Sequence, residues 1–419
     1  MHGTATLGKR TNLIIVGNGM AGARLLEEVL ARNAGGRFAI TILGEEPHGG
    51  YNRALVSEVL SGARDAGTLL RRPREWYAER GVALRTGVRA EAIERDQRAV
   101  RFGDGEVVCY DRLILAAGSR PVVPPLEGLH AAGGVWKAGV FTLRTLEDGQ
   151  RIAEQAALCR RACVLGGGLL GLEAAGALLQ AGLEVHLVHA ATHLMERQLD
   201  KASGALLKSG VESLGAHVHL NRRCQAVLGE GRVSGIALED GGTLDCDLLL
   251  LACGTQPNTE LAAGSGLAVG RGIQVDDQMR TLSDPSIYAL GECAEHRGIV
   301  YGSVPPLWDQ AQVLADHLTG SDPQAAYQGS RIALKLRLSG LSVTALGRSE
   351  VREHDELVQF SDPKRGIYKR LILHKGRLAG ALLLGDPDGS PYLTQAFDRG
   401  TPLPTNRAAL LFDLDRLGR

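Results

Sequence analysis

The sequence predicts an α/β chain: two similar units, each built on a parallel sheet, followed by a small α+β domain. Three observations carry this. The apolar run Leu13-Ile14-Ile15 leads into Val16-Gly17-Asn18-Gly19-Met20-Ala21-Gly22, and Ala23 to Leu30 then shows helical amphipathic spacing. About 150 residues later the pattern returns as Val164-Leu165-Gly166-Gly167-Gly168-Leu169-Leu170-Gly171-Leu172-Glu173-Ala174-Ala175. The exits repeat as well: a run from Tyr110 into Ala116-Ala117-Gly118 has a near copy from Asp245 into Ala252-Cys253-Gly254.

Strand, G-x-G-x-x-G and helix in that order form a dinucleotide-binding, Rossmann-like fingerprint. Gly17 permits the tight turn, Gly19 lets a pyrophosphate approach the backbone, and Gly22 lets helix and strand pack closely. The helix start, with Met20 and Ala21, offers N–H groups and the positive dipole end to phosphate. Gly166, Gly168 and Gly171, with Leu169 and Leu170, repeat these roles, so two nucleotides are expected.

The strand Phe38 to Leu43 ends at Gly44-Glu45-Glu46. An acid there can take a ribose hydroxyl of the first nucleotide, and Glu45 and Glu46 both qualify. Pro47 to Arg53 then turns into a helix over 54–60. Arg53 is placed to meet pyrophosphate, with an exposed surface arginine as the alternative. Ala116, Ala117, Gly118 and Arg120 close this first segment.

In the second unit the strand Glu184 to His189 puts His189 where an acid would normally read the ribose. A missing acid removes repulsion against a 2′-phosphate. This predicts weak discrimination between NADH and NADPH, with NADPH gaining as pH falls. Gly254 marks the exit. His186 and His189 point to opposite strand faces, which argues against a shared metal, and His217 and His219 read as a polar face; no metal is expected. Glu173 begins the helix behind the second fingerprint, where a dipole-stabilised acid is the plain reading. The chain returns to a strand at Ser286 to Leu290, ends it in Gly291-Glu292-Cys293, and enters a helix at Pro306 that carries Trp308. Runs at 332–338 and 378–385 read as strands of the α+β domain.

Lysine plus arginine equals aspartate plus glutamate, 47 each, so bulk charge argues for neither nucleic acid nor an anionic membrane. Glycine, 55 of 419, is nearly twice the usual share and has no collagen-like period, which suits many tight strand–helix turns. The first ten residues lack an apolar signal core, and no run of about 18 apolar residues occurs, so a cytoplasmic protein is expected. Seven cysteines show no disulfide or zinc spacing, and none precedes Cys109. Cys159 and Cys163 are expected four apart on one helix as structural thiols.

In motif order the chain resembles the two-dinucleotide flavoprotein reductases, which place FAD on the first domain and NAD(P)H on a domain inserted within it. The matching pieces are Gly17/Gly19/Gly22, Ala116 to Gly118, Gly166/Gly168/Gly171 and Ile287-Tyr288-Ala289-Leu290-Gly291-Glu292. The resemblance implies a ribityl role for Glu292, one methylene longer than the usual aspartate. It also implies a place for Glu173 near the nicotinamide and for Trp308 near the flavin, Trp308 being equally readable as a core aromatic. The expected domains are 10–140 and 256–322 for FAD, 141–255 for NAD(P)H and 323–400 for the α+β domain, with a tail over 401–419. Met20, Leu194-Met195-Glu196-Arg197-Gln198-Leu199-Asp200 and Gly291-Glu292-Cys293-Ala294 look like the flavoprotein part of assimilatory NAD(P)H nitrite reductases and the electron-transfer subunits of assimilatory nitrate reductase. Segments 335–343 and 367–373 resemble that group's small C-terminal domain.

Departures matter too. Disulfide reductases carry an early redox cysteine pair, and this chain has none before Cys109. Ferredoxin-reductase relatives carry a lysine where Ser57-Glu58 stands. The chain ends without the cysteine-rich iron–sulfur and sirohaem regions, so it is not expected to reduce nitrite alone. The resemblance implies FAD, NADH or NADPH, and a separate redox partner: a nitrate or nitrite reductase subunit or an iron–sulfur protein. A rubredoxin or ferredoxin reductase, or a non-catalytic FAD- and NAD(H)-binding interaction protein, are the competing readings.

Overall fold

The structure, a computed structural model, describes residues 10–32, 36–103, 105–338, 340–385 and 390–412. The reading of the first ten residues thus falls almost wholly outside the described residues, as does the end of the tail. The chain divides into two compact units. One contains residues up to Leu55, Ala66–Arg120 and Thr255–Ser330; the other contains Val56–Asp65, Pro121–Gly254 and the chain from Arg331 on.

The first unit is organised by five parallel strands in the spatial order Ala83–Thr86, Phe38–Gly44, Thr11–Val16, Arg112–Leu115, Asp284–Ala289. The chain moves outward one way from Thr11–Val16 and then the other way. This makes the carboxyl end of that strand the topological switch point, where such sheets bind ligands. Leu13, Ile14 and Ile15 are fully buried and pack under the helix Met20–Ala31 and the helix Val304–Thr319. The run reads as continuous apolar rather than alternating because both faces of the sheet are covered.

The second unit repeats the design. Five parallel strands run in the order Val140–Thr142, Leu248–Leu251, Arg161–Leu165, Glu184–His189, His217–Leu220. Each unit also carries a three-stranded antiparallel meander, at 90–109 in the first and 224–245 in the second. The predicted fold class holds: two Rossmann-like units and an antiparallel α+β domain.

That last domain is a five-stranded sheet over 333–384. Period-two alternation splits its side chains. Leu336, Leu338, Val343, Tyr368, Leu382 and Leu384 join the core around Leu172, Leu178 and Leu207 of the second unit. Leu371, Leu373, Leu383 and their neighbours face the helix Ser390–Arg399 and the short helix Ala409–Phe412. Asp200 caps the helix Lys201–Ser213 by accepting from Ser203 N–H at 2.9 Å, and it also accepts from Tyr368 Oη at 2.6 Å and from Arg370. One carboxylate thus ties the helix start to the C-terminal sheet. The tail is less superficial than its prolines suggest, since Leu403, Leu410 and Leu411 are buried.

One expectation is corrected. Cys159 and Cys163 do not share a helix: the helix ends at Ala156, and Cys163 is buried in the strand Arg161–Leu165. The apolar run Ala162 to Leu165 is short, and pairing with the strands Glu184–His189 and Leu248–Leu251 on either side decides it.

Candidate functional site

In the first unit Gly17 takes φ +110°, and its N–H donates to Leu43 O at 2.8 Å. A Cβ there would lie 2.2 Å from Ala116 O, and one on Gly22 would lie 2.0 Å from Gly17 O. Neither position admits a side chain. Gly19, extended at the helix N-cap, differs: a Cβ on it meets nothing within 4 Å, and no side chain caps the helix. Met20 is half-buried and Ala21 buried in that first turn. The helix therefore presents uncapped N–H donors to open space beside Gly19, the arrangement an anion needs.

Several elements converge on this turn. Ala116 N–H donates to Val16 O at 2.8 Å; Asn258 Nδ2 donates to Ala117 O at 2.8 Å, and Asn258 N–H to Gly118 O at 3.0 Å. Gly291, at φ +83°, would place a Cβ 2.8 Å from Ala21 Cβ, so only glycine lets the 291–293 turn rest against the fingerprint helix. Its N–H donates to the buried Gln310 Oε1 at 2.8 Å, and Ser119 Oγ donates to Glu292 at 2.8 Å.

The acids and cations sort themselves. Glu45 is exposed, facing Arg89 at 3.4 Å. Glu46 accepts from Tyr51 Oη at 2.8 Å and from Arg53. Burial works against the Arg53 charge, but Tyr51, Glu46 and Glu292 outweigh it and hold the guanidinium above the ordinary arginine range. Arg53 is thus a half-buried cation among acids rather than a loose surface arginine. Arg120 pairs with Glu260 and Asn258. Trp308 is half-buried against the core, with the Arg24 guanidinium 5.3 Å from its ring centre.

Sequence reasoning passed over Asn18. Its Oδ1 accepts from Tyr77 Oη at 2.9 Å, while its buried Nδ2 has no hydrogen-bond partner among the described residues. A buried amide donor left over beside an open glycine is a second mark of a polar ligand. The signal was present as the one polar residue between the first two glycines, but only the fold shows that it is buried.

The second unit reproduces the cradle. Gly166 has φ +119° and donates to Val188 O at 2.9 Å. Cβ atoms on Gly166 and Gly171 would lie 2.2 Å from Ala252 O and 1.8 Å from Gly166 O. Gly168 is extended at an uncapped N-cap and faces open space, as Gly19 does. Leu169 is half-buried and Leu170 exposed on the first turn, and Gly254, at φ +110°, has open space around it.

Glu173 sits one turn into this helix, half-buried. Burial first, and then the Glu58 carboxylate, push it up to about 7. It is not the dipole-stabilised surface acid of the plain reading. His189, at the strand end, is nearly buried. Its Nδ1 accepts from Gly167 N–H at 3.0 Å, which leaves the ring hydrogen on Nε2, 3.0 Å from Glu196 Oε2. Both ring nitrogens are engaged inside the chain, so the expectation that His189 offers a free proton to a 2′-phosphate loses its donor. His186 and His219 meet at 3.0 Å between Nδ1 and Nε2, with His217 stacked on His186. Burial lowers both His186 and His219.

No helix among the described residues is long and apolar enough to cross a membrane.

Comparison with known proteins agrees with this geometry. The pyridine nucleotide-disulphide oxidoreductase family matches residues 11–314, and the rubredoxin NAD+ reductase C-terminal domain matches residues 333–401. Nitrite reductase [NAD(P)H] of Bacillus subtilis (strain 168) is 41% identical over 380 residues, 91% of this chain and 46% of the relative. The assimilatory nitrate reductase electron transfer subunit of the same organism is 39% identical over 378 residues, 90% of this chain and 48% of that one. The chain thus spans about half the length of the curated relatives it matches. Among solved structures, the covalent putidaredoxin reductase–putidaredoxin complex is similar with a TM-score of 0.85 at 27% identity, covering 97% of this chain and 99% of that one. The chain belongs to the pyridine nucleotide-disulphide oxidoreductase family, a family of NAD(P)H-dependent flavoenzymes.

Proposed function

We propose that the first cradle holds FAD, the second holds NADH or NADPH, and electrons pass to a separate redox protein, an assimilatory nitrate or nitrite reductase. The observation that carries this is the repeated cradle: two glycine turns of the same backbone shape, each open only at its middle glycine. When bound, FAD supplies a ring that accepts a hydride from the nicotinamide and releases electrons onward.

The chain's own residues do the placing. Gly19, the first turn after it and Asn18 Nδ2 receive the FAD pyrophosphate, with Arg53 as the nearby cation. Glu45, the freer of the two strand-end acids, takes the ribose; Glu292, held by Ser119, takes the ribityl chain. Gly168 and the turn after it receive the second pyrophosphate. Glu173 holds or yields a proton near neutrality beside the nicotinamide. With no cysteine before Cys109, no early thiol pair stands ready to receive the electrons, which favours an external acceptor.

Identity to the B. subtilis proteins supports nitrate or nitrite assimilation. A second reading, reductase for a rubredoxin or ferredoxin, draws on the match over 333–401 and on the putidaredoxin reductase fold. The test is anaerobic: add NADH or NADPH to the purified protein, follow bleaching of bound flavin, then offer a molybdenum nitrate reductase, a sirohaem nitrite reductase, a rubredoxin or a ferredoxin. Re-oxidation by either of the first two, faster than by the others, is expected. Faster re-oxidation by rubredoxin or ferredoxin would select the second reading, and no bleaching would leave a binding protein.

A further inference from the structure

We propose that Glu196 replaces the missing strand-end acid of the second cradle, reads the adenosine ribose and makes the protein prefer NADH, with His189 as the residue that positions it. The inference rests on the proposed NAD(P)H site.

A cradle of this type uses an acid about 20 residues after the fingerprint to bind the ribose hydroxyls. At the corresponding strand end this chain has His189-Ala190-Ala191, with no carboxylate. The chain brings one in from further on. His189 Nε2 lies 3.0 Å from Glu196 Oε2, and Nδ1 of the same ring accepts from Gly167 N–H at 3.0 Å. One imidazole therefore bridges the fingerprint and the acid.

The loop carrying Glu196 is fixed to the same glycine from the other side. Met195 N–H donates to Gly167 O at 2.9 Å, and a Cβ on Gly167 would lie 2.6 Å from Leu194 Cδ2. Leu194 and Met195 are buried, and Met195 holds φ +51°, a left-handed conformation costly for an unbranched L residue unless its surroundings enforce it. Burial of two side chains and the two-sided hold on Gly167 enforce it here, and they turn Glu196 outward. Its side chain is 38% exposed, with Oε2 the oxygen that meets His189. A carboxylate so placed accepts from a ribose 2′-OH and repels a 2′-phosphate. Arg222, whose N–H donates to His189 O, is paired with Asp240. The exposed neighbour Arg197 is the one group of this loop that would favour the phosphate.

The experiment measures kcat/KM for flavin reduction by NADH and NADPH in the FAD-loaded protein, and calorimetric affinity for ADP-ribose against its 2′-phosphate. Wild type should favour NADH. Glu196→Gln should lower the NADH/NADPH ratio roughly 10- to 100-fold, with the same trend in the calorimetric pair. Glu196→Asp, which withdraws the carboxylate by one methylene, should lose part of the ratio. His189→Asn keeps an acceptor for Gly167 N–H but cannot reach Glu196. It should shift the ratio the same way and add nothing on top of Glu196→Gln, a non-additivity that a general structural role would not produce. A ratio unchanged within about twofold in Glu196→Gln, or a wild type that prefers NADPH, would overturn the inference and turn attention to Arg197. Failure of both nucleotides to reduce the wild-type flavin would instead overturn the proposed function beneath it.

Discussion

In the first fingerprint the residue after the leading glycine is Asn18, and the residue ending the neighbouring strand is Gly44. In the second the sizes are exchanged, to Gly167 and His189. Strand register makes these true counterparts, since Val16 pairs with Leu43 and Leu165 with Val188. The two positions compete for one gap: a Cβ on Gly44 would lie 3.2 Å from Asn18 Cβ, and one on Gly167 would lie 2.8 Å from His189 Cγ. Conserving the filled volume conserves the backbone turn. It does not conserve the chemistry, because the large partner decides which polar group is presented. Asn18 leaves a spare buried amide donor next to Gly19 in the first turn; His189 meets Glu196 beside the second.

The sharpest way to break the comparison is at the closed glycines. Gly22→Ala and Gly171→Ala each push a Cβ into a backbone carbonyl, and each should cost about 3 kcal/mol or more in denaturant unfolding. Gly19→Ala and Gly168→Ala point into open space and should cost about 1 kcal/mol or less. If one member of either pair behaved unlike the other, the two cradles would not be equivalent.

Glu173 sharpens a difference, since the first helix has Arg24, a cation, at the counterpart position. Its native carboxyl titrates at about 7, above its ordinary value of 4.5, so native protein binds the extra proton and stability falls as pH rises between those values. Glu173→Gln should recover about 1–3 kcal/mol at pH 8 and nothing at pH 4. It should also flatten any step near pH 7 in NAD(P)H-driven flavin reduction. Equal melting shifts at both pH values would show the carboxyl to be unperturbed.

The smallest effect tests the Asp200 brace of the second unit. Burial disfavours the Asp200 carboxylate, but bonds from Tyr368, Ser203 and Arg370 outweigh it and hold it below the usual carboxylate range. A depressed native value gives stability that is present above about 3.8 and lost as pH falls further. Tyr368→Phe should lower stability by roughly 1 kcal/mol at pH 7, a gap that closes in acid. A gap independent of pH would mean that the tyrosine acts through packing alone.

Much of this was legible before the fold. The glycine spacings, the repeated exits and the continuous apolar strands all depend on local backbone rules, and Gly17, Gly22, Gly166 and Gly171 behave as those rules require. Less legible was anything set by which side chains meet. Nothing local distinguishes Glu45 from Glu46; only the approach of Tyr51 and Arg53 engages one and leaves the other exposed. His189 was located correctly, but its orientation depends on Gly167, 22 residues earlier, and on Glu196, seven later. Cys163 was misplaced because a short apolar run has no periodicity of its own.

The central claim, that the two like cradles hold unlike nucleotides, is tested most directly by Gly168→Asp. A carboxylate at that open position would occupy and repel the pyrophosphate of the second cradle and leave the first untouched. The measurement is FAD content together with flavin reduction by NADH, by NADPH and by dithionite. The protein should retain its FAD, respond to dithionite as wild type does, and lose at least about 100-fold in kcat/KM with both nucleotides. Loss of FAD with nucleotide binding preserved would contradict the assignment and exchange the two sites.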